Sequence, residues 1–143
     1  MSDFDPRDTS NRASLSARQV AENFVELFHH QDNVVDAFMA WVHPDYIQHN
    51  PNAPSGRDAT LEFLAAAVKN NPELTHDVKR VIYGEDMDGP EGMVVVHHNF
   101  RRTRGERGWA VVDIMRIKDG YVVEHWDVMQ EVPETAKNQN GMF

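Results

Sequence analysis

Two acidic residues and a histidine near the end of the chain are the residue types that proton-transfer chemistry requires. Asp127 and His125 lie in the stretch Gly120–Gln130, whose β-branched content and alternation of polar and apolar residues predict a strand. Alternation places Asp127 on the same face as His125 and Met129. Apolar neighbours disfavour the ionised form of a carboxylate, so Asp127 is a candidate general acid or base. The alternative for Asp127 is a structural role, in which it hydrogen-bonds to the loop of residues 46–50.

A second acid lies on the strand that is predicted just before. Trp109–Ile117 is joined to the last strand by Lys118–Gly120, a tight-turn signal, so the two strands should pair as a hairpin. Asp113 alternates with apolar residues along this strand. If the hairpin brings Asp113 next to Asp127, the two carboxylates should titrate as a coupled pair. The alternative for Asp113 is a structural role, in which it orients a histidine or pairs with an arginine.

Composition limits the class of protein. The chain has 143 residues, the length of one domain, and we treat residues 1–143 as a single domain. A net charge of −9 argues against nucleic acid or a membrane surface as the partner, because both require a basic footprint. No apolar run approaches the ~20 residues that span a bilayer, and no signal-peptide pattern is visible. We therefore expect a cytoplasmic protein, without disulfides because the chain has no cysteine.

Three helices are predicted in the first half of the chain, after a loose polar arm over residues 1–13. Ser16 and Gln19 have the spacing of a capping box, which predicts the start of the first helix. Asp32 can cap a second, short helix, which Pro44 ends because proline disfavours helical geometry at the residue before it. The residues expected on its inner side are Val35, Phe38, Met39 and Val42.

A loop over residues 45–56 follows, and Ser55 with Asp58 can cap the third helix behind it. This loop is rich in turn formers and in side chains that bind ligands. Such a loop is more typical of a site than of a core. Its candidate residues are Tyr46, Gln48 and His49, and His49 could shuttle protons in the same pocket as the histidine of the last strand.

The second half of the chain has the period of strands. The predicted strands are 75–83, 93–103, 109–117 and 121–131, and residues 133–143 are a tail. Three helices followed by a four-stranded antiparallel meander indicate the α+β class. Two of these strands are apolar on both faces, so one face should take the helices and the other a second subunit. We therefore expect a homodimer.

The remaining aromatic residues and histidines suggest further contacts. His97 and His98 are consecutive in a strand, so only one can enter the cavity, and we expect it to be His97. Trp41, Tyr46 and Trp126 could form walls for a flat apolar ligand, although Trp126 could equally lie in a subunit interface.

No pair of the eight histidines has the i, i+4 spacing of a helical metal site, so we expect no metal.

Several motifs together resemble the SnoaL-like polyketide cyclases, within the nuclear-transport-factor-2-like superfamily. The similarity runs from about Val20 to Val132 and rests on short stretches, namely His43–Tyr46, Gln48–Pro51, Gly56-Arg57, Ile117–Gly120 and Glu124–Asp127. The resemblance implies a cone-shaped α+β fold. In that fold three N-terminal helices pack on a curved, mainly antiparallel sheet of four strands, with a possible short extra strand.

The resemblance also implies a reaction. In cyclases of this group an aspartate near the end of the last strand is the general acid/base of an intramolecular aldol condensation, without metal or organic cofactor. By similarity that role falls on Asp127. Those cyclases place a histidine on the preceding strand, where this sequence has Asp113.

The favoured hypothesis is a cofactor-independent acid/base enzyme that acts on a small apolar carbonyl compound, as an aldol cyclase or an isomerase. The alternatives are a non-catalytic ligand-binding domain of the same fold and a hydrolase that uses two carboxylates. The predicted catalytic residues are Asp127, Asp113 and His49. The predicted substrate-binding residues are Tyr46, Gln48, His97, His125, Trp126 and Trp41.

Overall fold

Three helices pack on a five-stranded sheet in the computed structural model, which describes residues 4–143. The helices are α1 (Ala17–Val25), α2 (Val34–Trp41) and α3 (Arg57–Asn70). The strands are β1 (Val42–Gln48), β2 (Thr75–Tyr83), β3 (Glu91–Arg101), β4 (Trp109–Lys118) and β5 (Tyr121–Glu131). They lie in the order β1-β5-β4-β3-β2, with β1 parallel to β5 and the other neighbours antiparallel. The predicted α+β class is therefore confirmed.

Helix α1 begins as the sequence predicts. The Ser16 hydroxyl accepts a hydrogen bond from the Gln19 backbone N–H at 3.2 Å, and the Gln19 side chain accepts one from the Ser16 backbone N–H at 2.9 Å. This capping box satisfies two of the donors that a helix start leaves free. Past its end the chain continues as one π-helical turn, Glu26–His30, and this turn contains the buried His29. Single π-helical turns are frequent at functional sites.

Helix α2 differs from the prediction in its cap and in its inner face. Asn33, not Asp32, caps it, because the Asn33 side chain accepts from the backbone N–H of Asp36 at 3.2 Å. Val35 and Met39 are exposed by 48% and 55%. The buried residues are Val34, Ala37, Phe38 and Trp41. Two neighbouring apolar stripes run along this helix, so its period alone does not show which stripe faces the core.

Strand β1 occupies part of the stretch that the sequence indicated as a loop. It runs parallel to β5, with Val42 opposite Val122 and Gln48 opposite His125. Pro44 is tolerated in β1 because the strand lies at the edge of the sheet, where a missing backbone donor breaks few ladder bonds. The sheet thus has five strands rather than four, and the fifth is parallel.

Before α1 and after β5 the described residues form no long helix or strand. In the described part of the N-terminal arm, the carbonyl of Pro6 accepts from Trp41 Nε1 at 2.7 Å, and Arg12 donates to the carbonyl of Gly120 at 2.7 Å. Pro6 and Arg12 thus contact the fold, whereas residues 1–3 of the predicted arm lie outside the described part. Within residues 4–143 no helix has the length and the apolar character needed to cross a membrane.

The β4–β5 hairpin sets the positions of the two acids. Asp113 of β4 lies directly opposite Asp127 of β5, and Met115 lies opposite His125. Alternating residues of β4, from Val111 through Asp113, are buried on the inner face of the sheet. The register of the hairpin shifts by one residue between Arg116 and Ile117, and this shift, together with strand alternation, brings both acids to the side of the sheet that faces the helices.

The caps of α2 and α3 give a matched pair of stability predictions. Helix α3 begins at Gly56 without a side-chain cap, so the predicted cap from Ser55 and Asp58 is wrong. We expect Asn33→Ala to lower the free energy of unfolding by about 1 kcal/mol, because it removes the cap of α2. Asp58→Ala should change it by less than about 0.5 kcal/mol. Urea denaturation measures both values, and equal losses for the two variants would contradict the cap assignment.

Candidate functional site

A cavity of about 340 Å³ lies between the inner face of the sheet and the helices. Its wall is mostly apolar and includes Phe28, Phe38, Phe63, Leu64, Val68, Phe100 and Met129. The polar residues that line it are fewer, namely His29, Tyr46, Gln48, Asn50, Asn52, Asn71, His76, His98, Arg102, Asp113, His125 and Asp127. An apolar pocket with a few polar groups is the usual form of a small-molecule site.

Asp113 accepts hydrogen bonds from three imidazoles. Its Oδ2 lies 3.0 Å from His29 Nε2 and 2.7 Å from His98 Nε2, and its Oδ1 lies 2.8 Å from His125 Nε2. Burial by itself raises the pKa of Asp113, but the three imidazole hydrogen bonds outweigh it and hold that pKa well below its usual range. Asp113 is therefore an ionised acceptor and not a proton donor.

His29 and His98 are neutral partners of this carboxylate. An ionised carboxylate only accepts, so the proton of each ring lies on Nε2. The Nδ1 atoms of both rings are buried and have no partner among the described residues, so a second proton there would be an unsatisfied buried donor. Burial lowers the pKa of His29 to about 4, because the cost of burying a charged imidazole outweighs its attraction to Asp113.

His125 has partners on both of its nitrogens. Nε2 donates to Asp113, and Nδ1 lies 2.7 Å from Gln48 Oε1. Burial lowers the pKa of His125, but the hydrogen bond to Asp113 and the charges of Asp113 and Asp127 outweigh it and raise that pKa above its usual value. Protonation therefore costs less at His125 than at His29.

Asp127 presents a carboxylate that is only partly engaged. Its Oδ2 accepts from Asn50 Nδ2 at 2.7 Å and lies 3.9 Å from His125 Nε2. Its Oδ1 accepts no hydrogen bond from the described residues. Because Asp127 also lines the cavity, this oxygen can reach a proton of a bound ligand.

Tyr46 adds a hydroxyl to the same wall. The side-chain amide of Gln48 donates to the Tyr46 oxygen at 3.2 Å, which leaves the phenolic proton free for a ligand. Burial, together with the negative charges of Asp113 and Asp127, raises the pKa of Tyr46 above its usual range. Tyr46 is therefore a hydrogen-bond donor at all ordinary pH values.

Four of the predicted site residues lie outside the cavity, and His97 is the first of them. It faces the outer side of the sheet, where it contacts Arg80 and stacks near Phe143 at a ring separation of 5.5 Å. His98 enters the site instead. Alternation shows that the two histidines face opposite sides, but it does not show which side is inner.

The other three are His49, Trp126 and Trp41. His49 Nε2 lies 3.0 Å from Glu124 Oε2, and its ring stacks on that of Trp126 at 4.9 Å. Trp41 is fully buried in the core behind the cavity. The structure therefore does not place these residues against a ligand, whereas Asp127, Asp113, Tyr46, Gln48 and His125 do line the cavity.

Three site residues were missed in the sequence, namely His29, His98 and Asn50. His29 lies in the π-helical turn that continues α1. A signal for its burial was present, because His29 follows Ala21 and Val25 at helical i, i+4, i+8 spacing. Asn50 is not among the predicted site residues, but its contact with Asp127 agrees with the structural alternative for that acid, a hydrogen bond to the loop of residues 46–50.

Two groups of side chains have the spacing of metal ligands. They are His29, His98 and Asp113, and Asp113, His125 and Asp127, each with its ligand atoms within 4.8 Å of one another. A metal on the Nε2 atoms would require protons on the Nδ1 atoms of His29 and His98, which have no acceptor. Metal-bound histidines normally donate from the other nitrogen to an acceptor. The group of His29, His98 and Asp113 therefore suits hydrogen bonds to Asp113 better than a metal.

The lowered pKa of His29 predicts a loss of stability in acid. Between pH 6.5 and about 4 the unfolded chain binds a proton at His29 that the folded protein does not, so the free energy of unfolding falls as the pH falls. The loss should reach roughly 3 kcal/mol. We expect His29→Gln to flatten this part of the curve, measured by urea denaturation at several pH values. An unchanged slope in the variant would contradict the assignment.

Comparison with known proteins identifies the family. A model described as "SnoaL-like domain" matches residues 21–125. Comparison with curated proteins gave no significant match. Among solved structures, a cystatin-fold protein from Novosphingobium aromaticivorans has a TM-score of 0.60 and 16% identity, covering 80% of this chain and 98% of that one.

Two further structures carry informative descriptions. A SnoaL-like protein of unknown function from Burkholderia thailandensis has a TM-score of 0.60 and 14% identity, covering 80% of this chain and 94% of that one. A putative polyketide cyclase from Bacillus cereus has a TM-score of 0.56 and 14% identity, covering 80% of this chain and 74% of that one. At these identities the structures support the fold, and the family model decides membership. The chain belongs to the SnoaL-like family.

Proposed function

We propose that this protein is a cofactor-independent acid/base enzyme that acts on small, mostly apolar carbonyl compounds. The observation that carries the proposal is the carboxylate of Asp127, which lines the mostly apolar cavity with one oxygen held by Asn50 and the other without a hydrogen bond from the described residues. A positioned carboxylate of this kind is a general base for a proton next to a carbonyl group. The putative cyclase among the similar structures agrees with this class of reaction.

The cavity limits the size of the substrate. About 340 Å³ corresponds to roughly eleven waters at about 30 Å³ each. This volume suits a compact compound of one or two rings. Aromatic side chains on several sides, among them Phe28, Phe38 and Phe100, favour a flat and mostly apolar body.

The proposed chemistry is enolisation. Asp127 removes a proton α to the carbonyl group, and Asn50 keeps its carboxylate in place. The enolate oxygen accepts a hydrogen bond from the free hydroxyl proton of Tyr46, which stabilises the charge that develops there. Reprotonation at another carbon gives an isomerase, and attack on a second carbonyl group of the same molecule gives an aldol cyclase.

Asp113 serves this reaction as a positioning residue. Both of its oxygens accept imidazole hydrogen bonds, so it has no free acceptor for a substrate proton. For the same reason a two-carboxylate hydrolase has less support, since Asp127 is the one acid of the pair with an oxygen open to water. A non-catalytic binder would use the same cavity, and the experiment on Asp127 separates it from an enzyme.

Exchange of α-hydrogens tests the role of Asp127. We expect the wild-type protein to accelerate the incorporation of deuterium from D₂O into β-tetralone, followed by proton NMR. Asp127→Asn is nearly isosteric and should reduce the acceleration at least 100-fold, because the amide is not a base. Asp58→Asn, which changes an exposed carboxylate far from the cavity, is the matched control and should keep the wild-type rate.

Binding of the same ketone, followed by ligand-induced shifts in the protein NMR spectrum, completes this test. Asp127→Asn should retain the shifts. If the wild-type protein binds ketones of this size without any exchange, the enzyme proposal is wrong and the binder is favoured.

We also propose that the outer face of the sheet pairs with a second copy of the chain. A row of apolar residues crosses four strands there, and it consists of Ile82, Val95, Ile114 and Trp126 in register. Val128 on the same face is 67% exposed. Burial of such a patch is the usual basis of a homodimer.

Sedimentation tests this assembly. We expect the wild-type protein to sediment as a dimer and Val128→Glu to shift it to the monomer, because a charge would be buried in the apolar interface. Val35→Glu changes an equally apolar but helical surface position and should remain dimeric. A wild-type protein that is monomeric at all concentrations would overturn the assembly.

A further inference from the structure

The proton positions on His125 follow from the orientation of the Gln48 side chain. Gln48 Oε1 lies 3.0 Å from the backbone nitrogen of Asn50 and 2.7 Å from His125 Nδ1. A backbone N–H can only donate, so the Gln48 atom that faces it must be the oxygen. That oxygen can only accept, so Nδ1 of His125 carries a proton.

The other nitrogen of the same ring also carries a proton. His125 Nε2 lies 2.8 Å from Oδ1 of Asp113, which is ionised and can only accept. With protons on both nitrogens, His125 is an imidazolium ion. The raised pKa of His125 agrees with this count of protons.

His125 is the one imidazole of the Asp113 group that can hold this charge. The second nitrogens of His29 and His98 have no acceptor among the described residues, so these two rings remain neutral. The groups that face His125 are Asp113 on β4, Asp127 on β5 and Tyr46 on β1. A cation bearing a mobile proton thus lies 3.9 Å from the proposed base, Asp127.

We propose that His125 is the general acid of this site, partner to the base Asp127, and that the site eliminates water from β-hydroxy carbonyl compounds. This inference rests on the proposed role of Asp127 and adds the cleavage of a carbon–oxygen bond. His125 and Asp127 are two residues apart on one strand, so both reach the same face of a substrate in the cavity. Adjacent acid and base on one face suit the loss of a hydrogen and a hydroxyl group from neighbouring carbons.

The elimination balances as follows. Asp127 takes the α-proton, the electron pair of that bond forms the carbon–carbon double bond, and the β-carbon–oxygen bond breaks. The leaving oxygen displaces Asp113 Oδ1 as the acceptor of the His125 Nε2–H, takes that proton and departs as water. Without that proton the leaving group is hydroxide, which departs slowly, and this is the step that a general acid accelerates.

The site then returns to its starting state. After the loss of its Nε2 proton, His125 is neutral and still donates its Nδ1 proton to Gln48 Oε1. The lone pair on Nε2 then faces the carboxylate anion of Asp113. This contact is repulsive and favours the return of a proton to Nε2. The proton that Asp127 Oδ1 has taken passes to His125 Nε2 through solvent that enters as the product leaves, with no net change in the protein and with no co-reactant.

The test uses the β-hydroxy ketone formed from benzaldehyde and acetone, whose dehydration product, benzalacetone, is followed by its ultraviolet absorbance. We expect the wild-type protein to accelerate dehydration. His125→Gln should slow dehydration at least 100-fold. Deuterium exchange of the α-hydrogens of the same compound should change less than tenfold in this variant, because exchange requires the base alone. Asp127→Asn should lose both activities, and His97→Gln, which changes the outward-facing histidine, should retain both.

The outcomes separate this inference from the proposed function. Exchange without dehydration in the wild-type protein refutes the elimination and leaves the role of Asp127 intact, whereas the absence of both refutes the role of Asp127. Dehydration at the full rate in His125→Gln refutes His125 as the acid.

Two measurements on the wild-type protein make the test independent of how well His125→Gln folds. Nitrogen NMR at pH 7 should show one imidazole protonated on both nitrogens, and a spectrum of neutral rings alone would overturn the assignment. The rate of dehydration should fall as the pH rises through the raised pKa of His125, while the rate of exchange should not.

Discussion

The ionised carboxylate of Asp113 accepts hydrogen bonds from three imidazoles that come from three different elements of the fold. His29 belongs to the π-helical turn after α1, His98 to β3 and His125 to β5. A buried charge is costly unless it is paired and hydrogen-bonded, so the helix and these strands must meet in one arrangement. Replacing Asp113 alone would leave the Nε2–H donors of three imidazoles without their acceptor. The cavity exists in its present shape because these elements are tied to one another at Asp113.

This arrangement gives the two acids opposite roles. Asp113 is saturated by donors, which favour its ionised form and leave it no free oxygen for a ligand. Asp127 lies opposite Asp113 across the hairpin but has one hydrogen-bond donor, Asn50, and therefore keeps an oxygen free in the cavity. The imidazolium of His125 between them offsets the repulsion of the two negative charges. The surroundings of the two aspartates, and not their residue type, therefore make Asp127 the proposed base and Asp113 the residue that positions the site.

The parts of the fold that the sequence predicted are those with local causes. The capping box of Ser16 and Gln19 needs only neighbouring residues, and the alternation in β4 and β5 follows from the geometry of a strand. Strand β1 was missed because it pairs with β5, almost eighty residues away, and because Pro44 indicates a break. Packing decides which of His97 and His98 faces the cavity. Packing also decides which apolar stripe of α2 faces the core, and no local sequence pattern indicates either outcome.

The sequence by itself determined that Asp113 and Asp127 lie on consecutive strands of one hairpin, that the chain is α+β, and that Tyr46 and Gln48 lie close to each other along the chain. Each follows from a short-range period or spacing, since side chains alternate along a strand whatever surrounds them. The tertiary structure alone decided which imidazoles meet Asp113, which of them can hold a charge, and that His49 faces away from the cavity. Protonation depends on burial and on the partner of each nitrogen, and both are set by contacts between residues far apart in the sequence.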